Sequence, residues 1–133
     1  MSNRSRSFAA IIENDNILMV QIIKGEKNFW TLPGGGLENH ETFEEAVIRE
    51  VQEEVNLKVE VIKHLYTNNY ELGVEKCFLA QILEQNLTPK LGYDPELPIE
   101  QQELKEFKWQ PIKEMADDIQ VSEVIRVLGL LVD

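Results

Sequence analysis

Three consecutive glycines, Gly34-Gly35-Gly36, feed within a few residues into a helix that carries three carboxylates at its far end. No other stretch restricts the fold and chemistry of the chain so tightly. Thr42 and Glu45 stand at the spacing of a capping box, in which the hydroxyl takes one orphan backbone N–H and the carboxylate reaches back to another. Phe43, Ala46, Val47, Val51 and Val55 then recur at helical intervals.

At about 100° per residue, Glu50 and Glu54 fall within about 20° of Phe43, inside the apolar stripe, and Glu53 falls on its edge. Charge is costly there. Desolvated carboxylates a few ångströms apart repel and raise one another's pKa unless something positive neutralises them. Arg49 projects to the side of the stripe and cannot serve all three. A hard divalent cation can, and Mg²⁺ suits a few carboxylates, retained waters and substrate phosphates, with Mn²⁺ able to substitute. A solvated acidic face is the bland alternative, and the placement of Glu50 and Glu54 on the apolar side behind a glycine turn argues against it.

Taken in order, Gly35, Glu41 and Arg49-Glu50-Val51-x-Glu53-Glu54-x-Asn56-Leu57 resemble the Nudix box of the Nudix hydrolase family. Asn56 replaces the usual glycine at a helix C-cap where a left-handed residue is expected, and Asn is the next-best occupant. The departure costs roughly 1 kcal/mol of local stability and leaves the chemistry alone. The flanking Trp30-x-Leu32-Pro33-Gly34-Gly35 and Phe107-x-Trp109-x-Pro111 are similar to common family surroundings.

The resemblance implies an α/β fold class, a Nudix-type α/β/α sandwich with a mixed sheet, as one Nudix hydrolase domain over residues 1–133. It implies metal binding by the Gly35 carbonyl, Glu50, Glu53 and Glu54, with Glu53 completing the cluster or holding a metal-bound water. Glu41 and Arg49 match a supporting ion pair. Catalysis falls to Glu50, Glu53 and an extra carboxylate from the region before the last strand, Glu103 first and Glu100 second. Glu50 is the first choice of general base and Glu103 the second. The implied reaction is Mg²⁺-dependent hydrolysis of a diphosphate linkage in a small nucleoside diphosphate derivative. A nucleoside triphosphate pyrophosphatase leads, with ADP-ribose or nucleotide-sugar pyrophosphatases as alternatives. A non-catalytic nucleotide-sensing Nudix-like domain would lack part of the glutamate set, and a structural cation module would have no use for the long loop described below.

With a net charge of −11, the chain is a poor ligand for long nucleic acids, whose phosphate backbone needs a basic surface. No apolar run of signal-peptide or membrane-spanning length appears, so no membrane partner and a cytoplasmic location are expected. Cys77, the one cysteine, lies in an apolar run and reads as a buried inert thiol. His40 and His64 lack partners at ligand spacing. Dimerisation is common in the family and nothing in the residues decides it.

Phe8–Ile12 and Ile17–Ile23 read as strands of a hairpin around Glu13-Asn14-Asp15-Asn16, and the turn Lys24–Asn28 leads to a strand at Phe29–Leu32. Leu57–Tyr70 reads as one long strand or two. Val74–Leu83 is a strand apolar on both faces, as in a covered sheet. The stretch Glu84–Gln102 is long and irregular, which marks a functional or mobile loop. Within it Tyr93 could stack on a base or sugar, although a surface-packing tyrosine fits as well. Leu104–Trp109 closes the strands, Pro111–Met115 starts a short helix, and Ser122 caps a last helix with the stripe Val121, Val124, Ile125, Leu128 and Leu131. Strands before and after a central helix, with a second helix at the end, independently imply a mixed sheet with helices against it. Arg4, Arg6, Lys24 and Lys27 read best as solvated cations, with Arg6, Tyr93 and Glu100 kept as candidate substrate contacts.

Overall fold

Strands that are apolar on both faces must be covered on both faces, and this dictates the layering. The computed structural model describes residues 4–84 and 89–130. Its strands are β1 (Arg6–Glu13), β2 (Asn16–Lys24), β3 (Lys27–Thr31), β4 (Gly34–Gly36), β5 (Val59–Tyr70), β6 (Gly73–Ile82) and β7 (Leu104–Pro111). Helix α1 (Phe43–Val55) lies between β4 and β5, and α2 (Ile119–Leu128) follows β7.

Successive strand residues point to opposite faces. In β1, Phe8 and Ala10 join Met19, Val121 and Val124 in one core, while Ala9 and Ile11 join Val20, Val47, Val51 and Val55 in the other. Helix α2 therefore covers one face of the sheet and α1 the other. Val47, Val51 and Val55 are fully buried, each contributing about 1.5–3 kcal/mol of apolar burial.

The strand order is β3-β2-β1-β6-β5, with β4 beside β1 and β7 beside β2. Strands β1 and β6 run parallel, and the remaining pairs are antiparallel. This is the mixed α/β/α sandwich expected. The β1–β2 hairpin turns on two residues, Asn14 and Asp15, at φ of 51° and 65°, the type I′ geometry that matches strand twist. Strand β5 is continuous, and register shifts between Val61 and Lys63 and between His64 and Tyr66 explain its broken alternation. No helix among the described residues is long and apolar enough to cross a membrane.

Two expectations need correction. The glycine run is not merely a turn: Gly34, Gly35 and Gly36 pair with Phe8, Ser7 and Arg6 as a short antiparallel strand. A Cβ on Gly34 would lie 2.2 Å from the Ser7 carbonyl oxygen, so close backbone approach is what demands glycine. The last helix starts before Ser122. Asp118 caps it by accepting from the Val121 N–H, and the Ser122 hydroxyl donates to the Ile119 carbonyl from within the first turn. Leu131, placed on the stripe of that helix, lies outside the described residues, as do residues 85–88 of the long loop.

Candidate active site

Helix α1 is fixed at both ends by local chemistry. The Thr42 hydroxyl accepts from the Glu45 N–H and the Glu45 carboxylate accepts from the Thr42 N–H, which completes the capping box. Asn56 closes the helix in the left-handed conformation at φ 57° and ψ 39°. Between these caps, the apolar stripe that holds α1 on the sheet also turns Glu50 and Glu54 inward, against β4.

The contact with the glycine strand is close. A Cβ on Gly35 would fall 2.7 Å from Cδ of Glu50 and 2.8–2.9 Å from its oxygens, so the carboxylate rests directly on Gly35 backbone. Glu54 Oε1 accepts from the Gly34 N–H at 2.9 Å. A larger residue at Gly35 would push the Glu50 carboxylate off the strand.

Arg49 gathers the other side of the site. Its Nε and Nη2 donate to the two oxygens of Glu41 at 2.7 and 2.9 Å, and Nη2 also donates to the Gly36 carbonyl at 2.9 Å. Its Nη1 reaches Glu50 at 2.9 Å and Glu53 at 3.2 Å. The expected pair thus extends into a network that clamps the β4–α1 loop to the helix. As expected, Arg49 does not serve all three glutamates, because Glu54 is left out. Glu41 is drawn down to about 2 by the Arg49 hydrogen bonds and the Glu38 N–H, and Arg49 is held still more firmly protonated, chiefly by Glu41.

The carboxylates of α1 are not equivalent. Desolvation raises Glu50 above the usual carboxylate range, opposed by Arg49. Glu54 is pushed up to about 8 by burial, with Glu50 and Glu53 adding repulsion and the Gly34 N–H and Arg6 opposing it. Glu53 is exposed, with 57% of its side chain accessible. No ion pair reaches Glu54 among the described residues.

Beside this turn lies a cavity of about 640 Å³ lined by Ile22, Glu53, Glu54, Gly92, Tyr93, Asp94, Pro95, Leu97, Gln102, Glu103 and Leu104. Glu103 and Tyr93 therefore share it with two of the box glutamates. Glu100 does not line it and stands exposed on a single 3₁₀ turn, Ile99–Gln101. Arg6 pairs in register with Gly36 and lines a separate cleft with Arg4, Tyr70 and Glu75. Among the described residues no three His, Cys, Asp or Glu side chains form a ready-made metal cage. The two inward carboxylates nevertheless fit a divalent cation: both are desolvated, both abut β4 backbone, and Glu54 has no ion pair among the described residues.

Sequence reasoning missed Gly92 and Gln102. The only signal was their place in the long loop. Gln102 Oε1 accepts from the Asp94 N–H, and its Nε2 donates to the Asp94 and Leu97 carbonyls, each at 2.8 Å, which fixes the cavity wall.

The NUDIX domain model matches residues 3–128. An RNA pyrophosphohydrolase of Pelagibacter ubique (strain HTCC1062) is 27% identical over 127 residues, covering 80% of this chain and 75% of that protein. An 8-oxo-dGTP diphosphatase of Proteus vulgaris is 55% identical over 31 residues, 23% of this chain and 28% of its own length. Among solved structures, a NUDIX hydrolase from Nitrosomonas europaea superposes with a TM-score of 0.76 at 19% identity, covering 96% of this chain and 89% of the other.

Proposed function

The chain belongs to the Nudix hydrolase family, and from that premise we infer that it hydrolyses the diphosphate linkage of a nucleoside diphosphate derivative, with a nucleoside triphosphate as the leading substrate and Mg²⁺ as the metal. The observation that carries this reading is the pair of desolvated carboxylates, Glu50 and Glu54, laid against Gly34 and Gly35 with no ion pair on Glu54 among the described residues. Family members generally use a divalent metal, and Mg²⁺, with Mn²⁺ as substitute, suits an all-oxygen donor set that shares the ion with phosphates.

The Gly35 carbonyl, Glu50, Glu53 and Glu54 would hold the ion. When bound, it neutralises phosphate oxygens and lowers the pKa of a coordinated water. The residues of the chain divide the remaining work. Glu50 is the first choice to take the proton of the attacking water, and its raised affinity for protons suits that task. Glu103, across the cavity from α1, is the second choice. Arg49 keeps Glu41, Glu50 and the Gly36 carbonyl in one arrangement, so the helix and the glycine strand cannot drift apart.

Substrate polarity follows from charge. Among the described residues the cavity beside Glu54 is lined by four carboxylate residues and by no Lys or Arg, so it would receive the uncharged part of the substrate, with Tyr93 available for stacking. The phosphate tail would lie toward Arg6, whose charge is already felt at Glu54. Glu100, exposed and away from this cavity, has no part in the scheme. The protein sequence's sole cysteine, Cys77, is buried and free, which suits a cytoplasmic enzyme acting on soluble nucleotides.

The test is release of phosphate or pyrophosphate from a panel of nucleoside triphosphates, ADP-ribose and nucleotide sugars, with Mg²⁺ or with EDTA. Metal-dependent pyrophosphate release from triphosphates is expected. Turnover unaffected by EDTA, or none on any member of the panel, would overturn the reading.

A further inference from the structure

The last four carbonyls of an α-helix have no partner within the helix, and what satisfies them decides how firmly the final turn is held. In α1 the Asn56 N–H returns to the Gln52 carbonyl. The carbonyls of Glu54 and Val55 accept from outside, from the Gly92 N–H at 2.7 Å and the Lys90 N–H at 2.8 Å. The bonds come from alternate residues, so a short length of loop main chain lies along the end of the helix.

At Gly92 the approach leaves no room for a side chain. A Cβ there would fall 1.9 Å from the Glu53 carbonyl oxygen, 3.0 Å from its carbon and 3.2 Å from Cα of Glu54. All three are backbone atoms and cannot swing aside. Glu54 is thereby gripped from two directions, its main chain by the loop and its carboxylate by the Gly34 N–H. The same loop is pinned further along by Gln102 and carries Tyr93 between the two anchor points.

We propose that Gly92 is a positioning residue for the reaction: its main chain clamps the last turn of α1 and so fixes where Glu53 and Glu54 present their carboxylates. The proposal rests on the reading of Glu54 as a metal ligand. Gly92 touches neither the reacting atoms nor the ion and acts through the helix turn. Because one segment sets both the carboxylate turn and the cavity wall, displacement at Gly92 disturbs metal binding, whereas loosening at Gln102 disturbs the cavity alone.

The full chain is compared with Gly92→Ala, Lys90→Pro, Gln102→Ala and Glu54→Gln. Mn²⁺ affinity is read from the electron paramagnetic resonance signal of free Mn²⁺, kcat and KM are measured on a nucleotide the parent hydrolyses, and the melting temperature is taken in EDTA. Gly92→Ala should weaken Mn²⁺ binding about 10–100-fold, as loss of a supporting contact around a metal does, and lower kcat at saturating Mn²⁺. Gln102→Ala should raise KM and leave Mn²⁺ affinity unchanged. Lys90→Pro removes one clamp donor without intruding a Cβ at Gly92, and it should weaken Mn²⁺ binding even if Gly92→Ala fails to fold. Parent-like Mn²⁺ affinity in the folded clamp variants, with only the melting temperature lowered, would reduce Gly92 to a packing role. Loss in Glu54→Gln alongside that result overturns the clamp alone, and parent affinity in Glu54→Gln overturns the metal-site reading beneath it.

Discussion

Glu54 is a largely desolvated acid with no ion pair among the described residues and only the more distant charge of Arg6 to offset it, so its ionisation should be visible as a loss of stability in the metal-free protein. Its pKa rises from 4.5 to about 8 on folding. Below the lower value both folded and unfolded states hold the proton and nothing is lost. As the pH climbs through that window the unfolded chain ionises freely while the folded one must keep its proton or bury a charge. Stability therefore falls with rising pH, by about 1.4 kcal/mol per pH unit. Between pH 5.5 and 7.5 the loss should be on the order of 2–3 kcal/mol. Glu54→Gln imitates the protonated form and keeps an oxygen to accept from the Gly34 N–H. In urea unfolding with EDTA, the variant should match the parent near pH 4, exceed it by about 1.4 kcal/mol near pH 5.5 and by roughly 4 kcal/mol near pH 7.5. Saturating Mg²⁺ should then close most of that gap, because an ion hundredfold above its Kd stabilises the parent by about 2.7 kcal/mol and gives the variant little. Curves that stay parallel across this range would mean that Glu54 ionises without penalty and has no need of a counter-ion.

Glu50→Gln should lower kcat about 10²–10⁴-fold in a pyrophosphate-release assay while far-UV circular dichroism stays parent-like. Glu41→Gln breaks the two-pronged bond to Arg49, whose partner side chain is only 13% accessible, and should cost about 1.5–3 kcal/mol in urea unfolding. Asn56→Gly relieves a left-handed C-cap and should be neutral or stabilising by under about 1 kcal/mol, with Asn56→Val clearly destabilising in the same assay.

What the sequence disclosed about fold and site follows the range of the interactions. Helix α1 was legible to the residue because its capping box and Asn56 cap are local. The inward turn of Glu50 and Glu54 was legible because it follows from helical period alone. The start of helix α2 is ambiguous in the sequence because Asp118 and Ser122 are both good caps, and Ile119, 81% exposed, stands off the apolar stripe at the true start. The glycine strand was hidden, since glycine carries no strand preference and the partner β1 lies far back in the chain. Helical period gives the direction of the Arg49 Cβ alone, and the length of the side chain brings Nη1 back to Glu50 and Glu53. The hold of Gly92 on α1 had no side-chain signature at all, because it is made of main chain meeting main chain.

Strand β1 has a consequence for how the molecule comes apart. Its side chains go alternately to the two cores, so neither helical layer can peel away without stripping the strand the other depends on. Trp30 packs against one core and Trp109 against the other, which gives each layer its own native reporter. Emission from single-tryptophan versions should fade at one shared denaturant concentration, the mark of a sandwich that melts as one body.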